Sequence, residues 1–179
     1  MSNKKFIESI PVGPLAIVAL PGSKALGDKV DAYISGWRSE RLEAKESPIT
    51  FKGYVKDSYL LNVSVPRFGT GEAKCALKDT VRGCDLYIID DVTNHSIEYT
   101  VCGQKNHMSP DDHFADLKRV IAAVGGKARR ITVILPFLYE SRQHRRTARE
   151  SLDCPLALQE LYNMGIDNII TFDAHDPRV

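Results

Sequence analysis

The stretch that decides the fold runs from Arg130 to Glu150 and reads RITVILPFLYESRQHRRTARE. Residues 131–135 are aliphatic or β-branched and end at Pro136, a pattern typical of a strand buried on both faces of a sheet. A basic cluster follows within a few residues: Arg142, Gln143, His144, Arg145, Arg146 and Arg149. Open α/β sheets bind ligands beyond the carboxyl ends of their strands, so the cluster predicts an anionic ligand, most simply a nucleotide. A solvated basic turn is the alternative that the local residues leave open.

Composition restricts the class of protein. The chain has 179 residues, of which 43% are hydrophobic and 26% charged, as expected for one soluble globular domain. The formal net charge of +1 means that affinity for phosphate must come from local clustering. The sequence contains neither an apolar run long enough to span a membrane nor a secretory signal. The cysteines form no C-x-x-C pair, which predicts reduced thiols and a cytoplasmic location: Cys75, Cys84, Cys102 and Cys154.

Strands and helices alternate along most of the chain. The pattern predicts strands at 15–20, 73–77, 86–90, 131–135 and 168–172, and helices from Ser23 to about Arg41, from Asp111 or Asp112 to Gly125, and from Pro155 to Gly165. This alternation indicates an α/β fold with a doubly wound, mostly parallel sheet. The loops that follow the strands should therefore meet at one edge, which would bring the basic cluster close to residues 173–175.

Two segments depart from this alternation. Residues 48–65 contain β-branched and alternating residues around Lys56-Asp57, which predicts a β-hairpin added to the sheet. Residues 91–110 are polar and are predicted to form a long loop, a kind of segment that is often functional. With no repeat or low-complexity segment, residues 1–179 are expected to form a single domain.

Three ordered motifs resemble the ribose-phosphate pyrophosphokinase family. They are residues 81–89 (VRGCDLYII), residues 130–145 (RITVILPFLYESRQHR) and residues 173–175 (DAH). The resemblance covers about 65–179, and more loosely the segment from Leu15. It implies a sheet of phosphoribosyltransferase type and identifies the chain as the N-terminal, ATP-side domain of a divergent member. The C-terminal catalytic domain of the family would then be absent from this sequence.

The resemblance also implies an activity. Members of the family are transferases of nucleotide biosynthesis that move the diphosphate of ATP to ribose 5-phosphate, giving phosphoribosyl pyrophosphate and AMP, with Mg²⁺ as cofactor. Ribose 5-phosphate would bind through the missing half, because the D-D-x-x-x-T-G-G pattern that holds its phosphate does not occur here. The chain alone is therefore expected to bind nucleotide weakly without turnover, and no catalytic residue is assigned to it.

The site residues implied by the resemblance follow from the matching motifs. Arg142 would stack on adenine, Gln143 lies beside it, and Arg145 would lie near the phosphates. Phe68 and Glu72 would close over adenine from a neighbouring subunit, which implies a homo-oligomer. His175, with Asp173 beside it, would help to hold Mg²⁺.

Several positions differ from the family pattern. Thr70 replaces an aspartate that reads the adenine amino group, Gly69 replaces a serine, and His144 stands where aspartate is usual. These differences favour a relaxed preference for ATP. They also favour an alternative in which the chain is a non-catalytic, pyrophosphokinase-like regulatory or assembly subunit.

The sequence disfavours two further functions, metal binding by a dedicated module and nucleic-acid binding. A metal-binding module could be built on four residues, His107, Asp111, Asp112 and His113, but their spacing matches no common metal site and the two aspartates suit a helix cap. Nucleic-acid binding is disfavoured because the arginine cluster is compact and the net charge is near zero.

Overall fold

The computed structural model describes residues 11–44 and 53–176. Its elements, in chain order, are β1 (Leu15–Ala19), a 3-10 turn (Pro21–Ser23), α1 (Lys24–Glu43), β2 (Val63–Ser64), β3 (Ala76–Leu77), β4 (Asp85–Ile89), β5 (Glu98–Val101), β6 (Gln104–His107), α2 (Pro110–Val124), β7 (Arg130–Phe137), α3 (Asp153–Asn163) and β8 (Asn168–Asp173). The strand predicted at 73–77 is reduced to the two residues of β3.

The main sheet has four parallel strands in the order β1-β4-β7-β8. Strand β4 pairs with β1, where Ala16 lies opposite Leu86, and with β7, where Leu86 lies opposite Ile131. Because every strand runs in the same direction, the loops after β4, β7 and β8 emerge at one edge of the sheet. The prediction of a mostly parallel α/β sheet is confirmed.

Helices pack on both faces of the sheet. Val18, Ile88 and Val133 point toward α2 and α3 and are fully buried there. On the opposite face, Val30 and Ile34 of α1 pack around a smaller cluster that includes Ile17. Burial on both faces explains why β7 is a nearly continuous apolar run and not an alternating one.

The apolar residues that keep helical spacing along α1, which predict its buried face, do not all face the sheet: Leu26, Val30, Tyr33, Ile34 and Trp37. Tyr33 and Trp37 are 73% and 46% exposed, whereas Gly27 and Asp31 are buried. Gly27 allows the helix to lie directly against Ala19 of β1, since a larger side chain would meet that methyl group. Tyr33 lies largely in solvent, and Trp37 lines a groove together with Val30 and Ile34 of the same helix.

Of the two predicted helix caps, Ser23 is the N-cap residue of α1 as expected, and the cap of α2 was wrong. Ser109, not Asp111 or Asp112, caps α2: its hydroxyl accepts from the amide of Asp112, and the Asp112 carboxylate accepts from the amide of Ser109. Ser23 occupies the N-cap position of α1, but its hydroxyl makes no capping hydrogen bond and accepts instead from the backbone amide of Asp91 at 2.6 Å. Ser23 therefore fixes the loop that follows β4.

The hairpin predicted at about 48–65 is corrected by the structure. Residues 48–52 lie outside the described residues. The described part pairs with other strands, since Leu60 forms a parallel bridge to Ile17 of β1 and β2 pairs with β3. Tyr59 explains this course because its ring is buried against the α1 face of the sheet. A polar, solvent-facing hairpin could not bury that ring.

The antiparallel hairpin occurs instead within the predicted loop 91–110. Strands β5 and β6 pair from Glu98–His107 to Val101–Gln104. Their two-residue connection, Cys102-Gly103, has positive φ angles of 47° and 81°, as a type I′ turn requires. Within the described ranges, no helix has the length and apolar character needed to cross a membrane.

Candidate functional site

A cleft of about 360 Å³ opens at the carboxyl edge of the sheet, between the loops that follow β4 and β7. Its lining residues are Val92, Thr93, His95, Pro110, Phe137, Tyr139, Glu140, Ser141 and Arg142. The first predicted site residue, Arg142, therefore lines a cavity that also offers aromatic surfaces and a second basic side chain. Such a combination suits a planar anionic ligand.

A tight turn after β7 sets the direction of Arg142. The amide of Ser141 donates to the carbonyl of Leu138 at 3.2 Å, and the amide of Gln143 donates to the carbonyl of Glu140 at 2.8 Å. Glu140 adopts a φ of +56°, an uncommon conformation for a residue other than glycine. Such outliers concentrate at functional sites, where the surrounding structure holds them. Residues 138–145 are called the Arg142 turn below.

The end of β8 is joined to the Arg142 turn. The amide of Leu138 donates to the carbonyl of Asp173 at 2.9 Å, and the amide of His175 donates to the hydroxyl of Ser141 at 3.2 Å. The ring centroids of His144 and His175 are 6.4 Å apart. The predicted convergence of the basic cluster with residues 173–175 is therefore present, through a buried serine that the sequence analysis did not assign.

Gln143 and Arg145 take different positions. The side-chain amide of Gln143 donates to the carbonyl of Ser151 at 2.8 Å, which holds the segment that leads into α3. Arg145 is exposed and makes no hydrogen bond or ion pair with the residues that the structure describes. Arg142 therefore lines the cleft, Gln143 stabilises the backbone around it, and Arg145 extends into solvent beside it.

Phe68 and Glu72 lie on a separate loop, residues 66–73, called the Phe68 loop below. The amide of Phe68 donates to the carbonyl of Glu72 at 2.7 Å, and the hydroxyl of Thr70 donates to the Glu72 carboxylate at 3.0 Å. The Phe68 side chain is 50% exposed. No hydrogen bond, ion pair or ring contact joins this loop to the Arg142 turn within the described chain, so one copy does not bring all the predicted site residues together.

A buried polar pair supports the loop that follows β4. His113 lies under this loop, with its Nε2 atom 2.8 Å from the carbonyl of Asn94, so Nε2 carries a proton that it donates. Its Nδ1 atom lies 3.9 Å from the fully buried carboxylate of Asp90. Burial raises the pKa of Asp90 well above its usual range, and the nearby carboxylates of Asp116 and Asp91 raise it further. Asp90 is therefore a neutral acid over a wider pH range than usual.

The wall of the cleft nearest α2 is aromatic and acidic. The rings of Tyr139 and Phe114 stack at 4.2 Å, and the hydroxyl of Tyr139 donates to Asp111 at 2.7 Å. Burial raises the pKa of Glu140, and the carboxylates of Asp153 and Asp111 raise it further. Tyr139 and Glu140 were missed by the sequence analysis, since an ordinary Tyr-Glu pair carries no local signal and its role depends on α2.

The donors available to a metal ion are few. The described residues contain no group of three or more histidines, cysteines or acidic residues placed to hold a metal. Asp173 and His175, both exposed at the end of β8, can provide two ligands. The carboxylate of Asp173 is the kind of oxygen ligand that Mg²⁺ prefers, and this ion commonly shares its coordination with waters and substrate phosphates, whereas the imidazole of His175 is an unusual ligand for it. Two residues of the disfavoured metal module have other partners: the Asp112 carboxylate accepts from the amide of Ser109 in the capping box of α2, and the buried His113 faces the carbonyl of Asn94.

Comparison with known proteins identifies the family. A family model described as the N-terminal domain of ribose phosphate pyrophosphokinase matches residues 15–165. The chain belongs to this family. Curated ribose-phosphate pyrophosphokinases are similar to it: the one from Vibrio parahaemolyticus is 30% identical over 121 residues, covering 66% of this chain and 34% of the relative. The one from Corynebacterium ammoniagenes is 28% identical over 118 residues, covering 65% and 33%.

A solved structure supports the fold of this pyrophosphokinase-family domain. The crystal structure of phosphoribosylpyrophosphate synthetase from Mycobacterium smegmatis superposes with a TM-score of 0.63 and 21% sequence identity. The match covers 92% of this chain and 44% of that one. The chain thus spans about a third of the length of its curated relatives and less than half of the solved structure.

Proposed function

We propose that this chain is the ATP-side domain of a ribose-phosphate pyrophosphokinase. The complete enzyme would transfer diphosphate from ATP to ribose 5-phosphate, giving phosphoribosyl pyrophosphate and AMP in the cytoplasm. The catalytic groups and the site for ribose 5-phosphate would belong to the other half of such an enzyme. Family membership supports the reaction class, and one observation supports the nucleotide side: Arg142 lines a cleft at the carboxyl edge of the parallel sheet.

The residues of the cleft suit a nucleotide. In the proposal the guanidinium of Arg142 stacks on adenine, an interaction of about 1–2 kcal/mol when desolvated. Arg145, which extends from the same turn, approaches the phosphates, and Gln143 keeps the turn in place through Ser151. Catalysis of phosphoryl transfer depends mainly on positioning and charge neutralisation, so a domain that holds the nucleotide contributes without supplying a reacting group.

Mg²⁺ and a second copy complete the proposed site. Asp173 and His175 would hold the ion, which neutralises charge on the polyphosphate when bound. Phe68 and Glu72 would close over adenine from a neighbouring copy. The separation of the Phe68 loop from the Arg142 turn within one chain supports this arrangement in a homo-oligomer.

A non-catalytic regulatory or assembly subunit is the second candidate. Two observations favour it. Residue 70 is threonine where the family has the aspartate that reads the adenine amino group, and its hydroxyl is bonded to Glu72 within the Phe68 loop. His144 directs Nδ1 to the carbonyl of Ser141 at 3.1 Å and so takes part in the turn itself. In this candidate the chain keeps the fold and assembles with active copies.

Calorimetric titration with Mg-ATP tests the nucleotide site. We expect saturable binding by the chain, a loss of at least about tenfold in affinity for Arg142→Ala, and weaker binding of Mg-GTP. Arg146→Ala is the matched control, because Arg146 is an exposed arginine of the same segment that does not line the cleft. Equal losses in the two variants would contradict an adenine site on Arg142.

Turnover distinguishes the two candidates. AMP release from ATP and ribose 5-phosphate is measured with the chain joined to, or mixed with, a pyrophosphokinase C-terminal domain. Release that depends on Arg142 supports the enzyme. ATP binding without AMP release, combined with co-purification with an active pyrophosphokinase, supports the regulatory subunit.

A further inference from the structure

The β5–β6 hairpin packs its tip against the Phe68 loop. The amide of Cys102 donates to the carbonyl of Gly69 at 2.9 Å, and the Cys102 thiol lies 3.7 Å from the same oxygen. Val101 covers Gly71 so closely that a β-carbon at residue 71 would lie 3.0 Å from its methyl carbon. Gly71 also has a φ of +94°, so the close contact and the left-handed backbone both favour glycine here.

The base of the Phe68 loop is fixed by the same hairpin and by α2. Arg67 forms a buried ion pair with Asp116 at 2.7 Å, and its guanidinium lies 4.8 Å from the ring centroid of Tyr99 on β5. The hydroxyl of Tyr99 donates to Asp112 of α2 at 3.2 Å. Tyr99 thus contacts the loop and the helix at once, and it couples the hairpin to both.

We propose that the β5–β6 hairpin is a positioning element that holds the Phe68 loop in one conformation before any ligand binds. Inward-facing Tyr99 and Val101 carry the function, while Glu98 and Thr100 on the same strand face solvent. A loop that is already ordered loses less conformational freedom on binding, so the hairpin strengthens binding at that loop. The expected effect on nucleotide affinity rests on the function proposed above. The claim that the hairpin keeps the Phe68 loop in one conformation does not depend on that function.

Amide hydrogen exchange measured without ligand tests whether the hairpin keeps the Phe68 loop ordered. In Tyr99→Ala/Val101→Ala, the amides of Phe68 and Gly71 should exchange at least about tenfold faster than in the parent, while amides of β7 keep their protection. Glu98→Ala/Thr100→Ala, on the opposite face of the same strand, removes only the exposed ion pairs of Glu98 with Lys105 and His107, which contribute little, and should leave all these rates unchanged. Equal protection of the loop in the two double variants would overturn the proposal, and comparison with β7 separates local release from global unfolding.

Conservative replacement of Tyr99 supplies a rescue that loss of the whole side chain does not give. Tyr99→Phe keeps a ring beneath the Arg67 guanidinium and loses only the hydroxyl bond to Asp112. The Gly71 amide should therefore exchange near the parent rate in Tyr99→Phe and faster in Tyr99→Ala. Equally fast exchange in the two single variants would count against positioning by the ring.

The affinity for Mg-ATP tests the consequence of the positioning. We expect Tyr99→Ala/Val101→Ala to bind roughly three- to tenfold more weakly than the parent, with parent-like affinity in Tyr99→Phe and no change in Glu98→Ala/Thr100→Ala. Unchanged affinity despite faster exchange would overturn the link to ligand binding. Absence of ATP binding in the parent would refute the nucleotide function, and the exchange experiment would still decide whether the hairpin holds the loop.

Discussion

Replacement of Arg67 by methionine should cost more stability than any surface ion pair of this domain. Arg67 and Asp116 are 10% and 3% exposed, so the substitution leaves a buried carboxylate with one partner fewer. Removing one member of a buried pair typically costs about 3–5 kcal/mol. Arg119 remains 2.6 Å from Asp116 and offsets part of that cost. We therefore expect a loss of about 2–3 kcal/mol near pH 8, or roughly 5–10 °C in Tm.

The loss should depend on pH in a defined direction. Burial raises the pKa of Asp116, and the charges of Arg67 and Arg119 oppose that rise. Without Arg67 the folded-state pKa of Asp116 rises further above its unfolded value. An acid with a raised folded-state pKa loses stabilisation as the pH increases from its unfolded pKa through its folded pKa. The difference between Arg67→Met and the parent should therefore be small near pH 4 and largest near pH 8.

Urea unfolding followed by circular dichroism at several pH values measures this difference. Arg119→Met is the matched control, because Arg119 binds the same carboxylate but is 31% exposed and should cost less than about 1 kcal/mol. Equal losses for the two variants, or a loss for Arg67→Met that is as large at pH 4 as at pH 8, would refute the reasoning from burial.

Three further substitutions, one of them with a matched control, test individual features of the fold. Asp90→Asn should raise the free energy of unfolding by about 1–3 kcal/mol at pH 8 and have little effect at pH 4. The reason is that burial raises the pKa of Asp90, so the folded state opposes ionisation of this carboxyl as the pH rises. An unchanged pH profile in urea titrations would contradict this expectation. Gly27→Ala should destabilise the domain by about 1–3 kcal/mol through contact with Ala19, whereas Gly36→Ala, with open space around it, should be neutral or stabilising in thermal melts. Ser109→Ala should cost about 1 kcal/mol through loss of the capping box, and a melting temperature equal to that of the parent would count against it.

Much of the sheet was predictable because its signals are local. The apolar run of β7 and the glycines at helix ends depend on near neighbours, and the strands at 15–19 and 168–173 fall where the pattern indicated. The errors occurred where a distant contact competed with a local preference. Ser23 is a good N-cap by residue type, yet the amide of Asp91 takes its hydroxyl.

The hairpins illustrate the same competition. The segment around Tyr59 has β-branched residues and charges suited to a hairpin, but burial of its ring against the sheet directs the chain elsewhere. The β5–β6 hairpin was overlooked because its connection is Cys-Gly and its strands carry many polar residues. A usable signal was present, since Gly103 is the second residue of a two-residue turn that follows the alternating Tyr99 and Val101. Its role depends on the Phe68 loop, about 30 residues earlier in the chain.

By itself the sequence determined the α/β class, the parallel sheet, the family and the basic cluster after β7, because periodicity and ordered motifs reside in the order of the residues. Only the tertiary structure decided which of the cluster's side chains lines the cleft, how Ser141 joins β7 to β8, and which hairpin supports the Phe68 loop. Each of these depends on hydrogen bonds or packing between residues far apart in sequence. Such long-range contacts produce no periodic pattern along the chain from which they could be predicted.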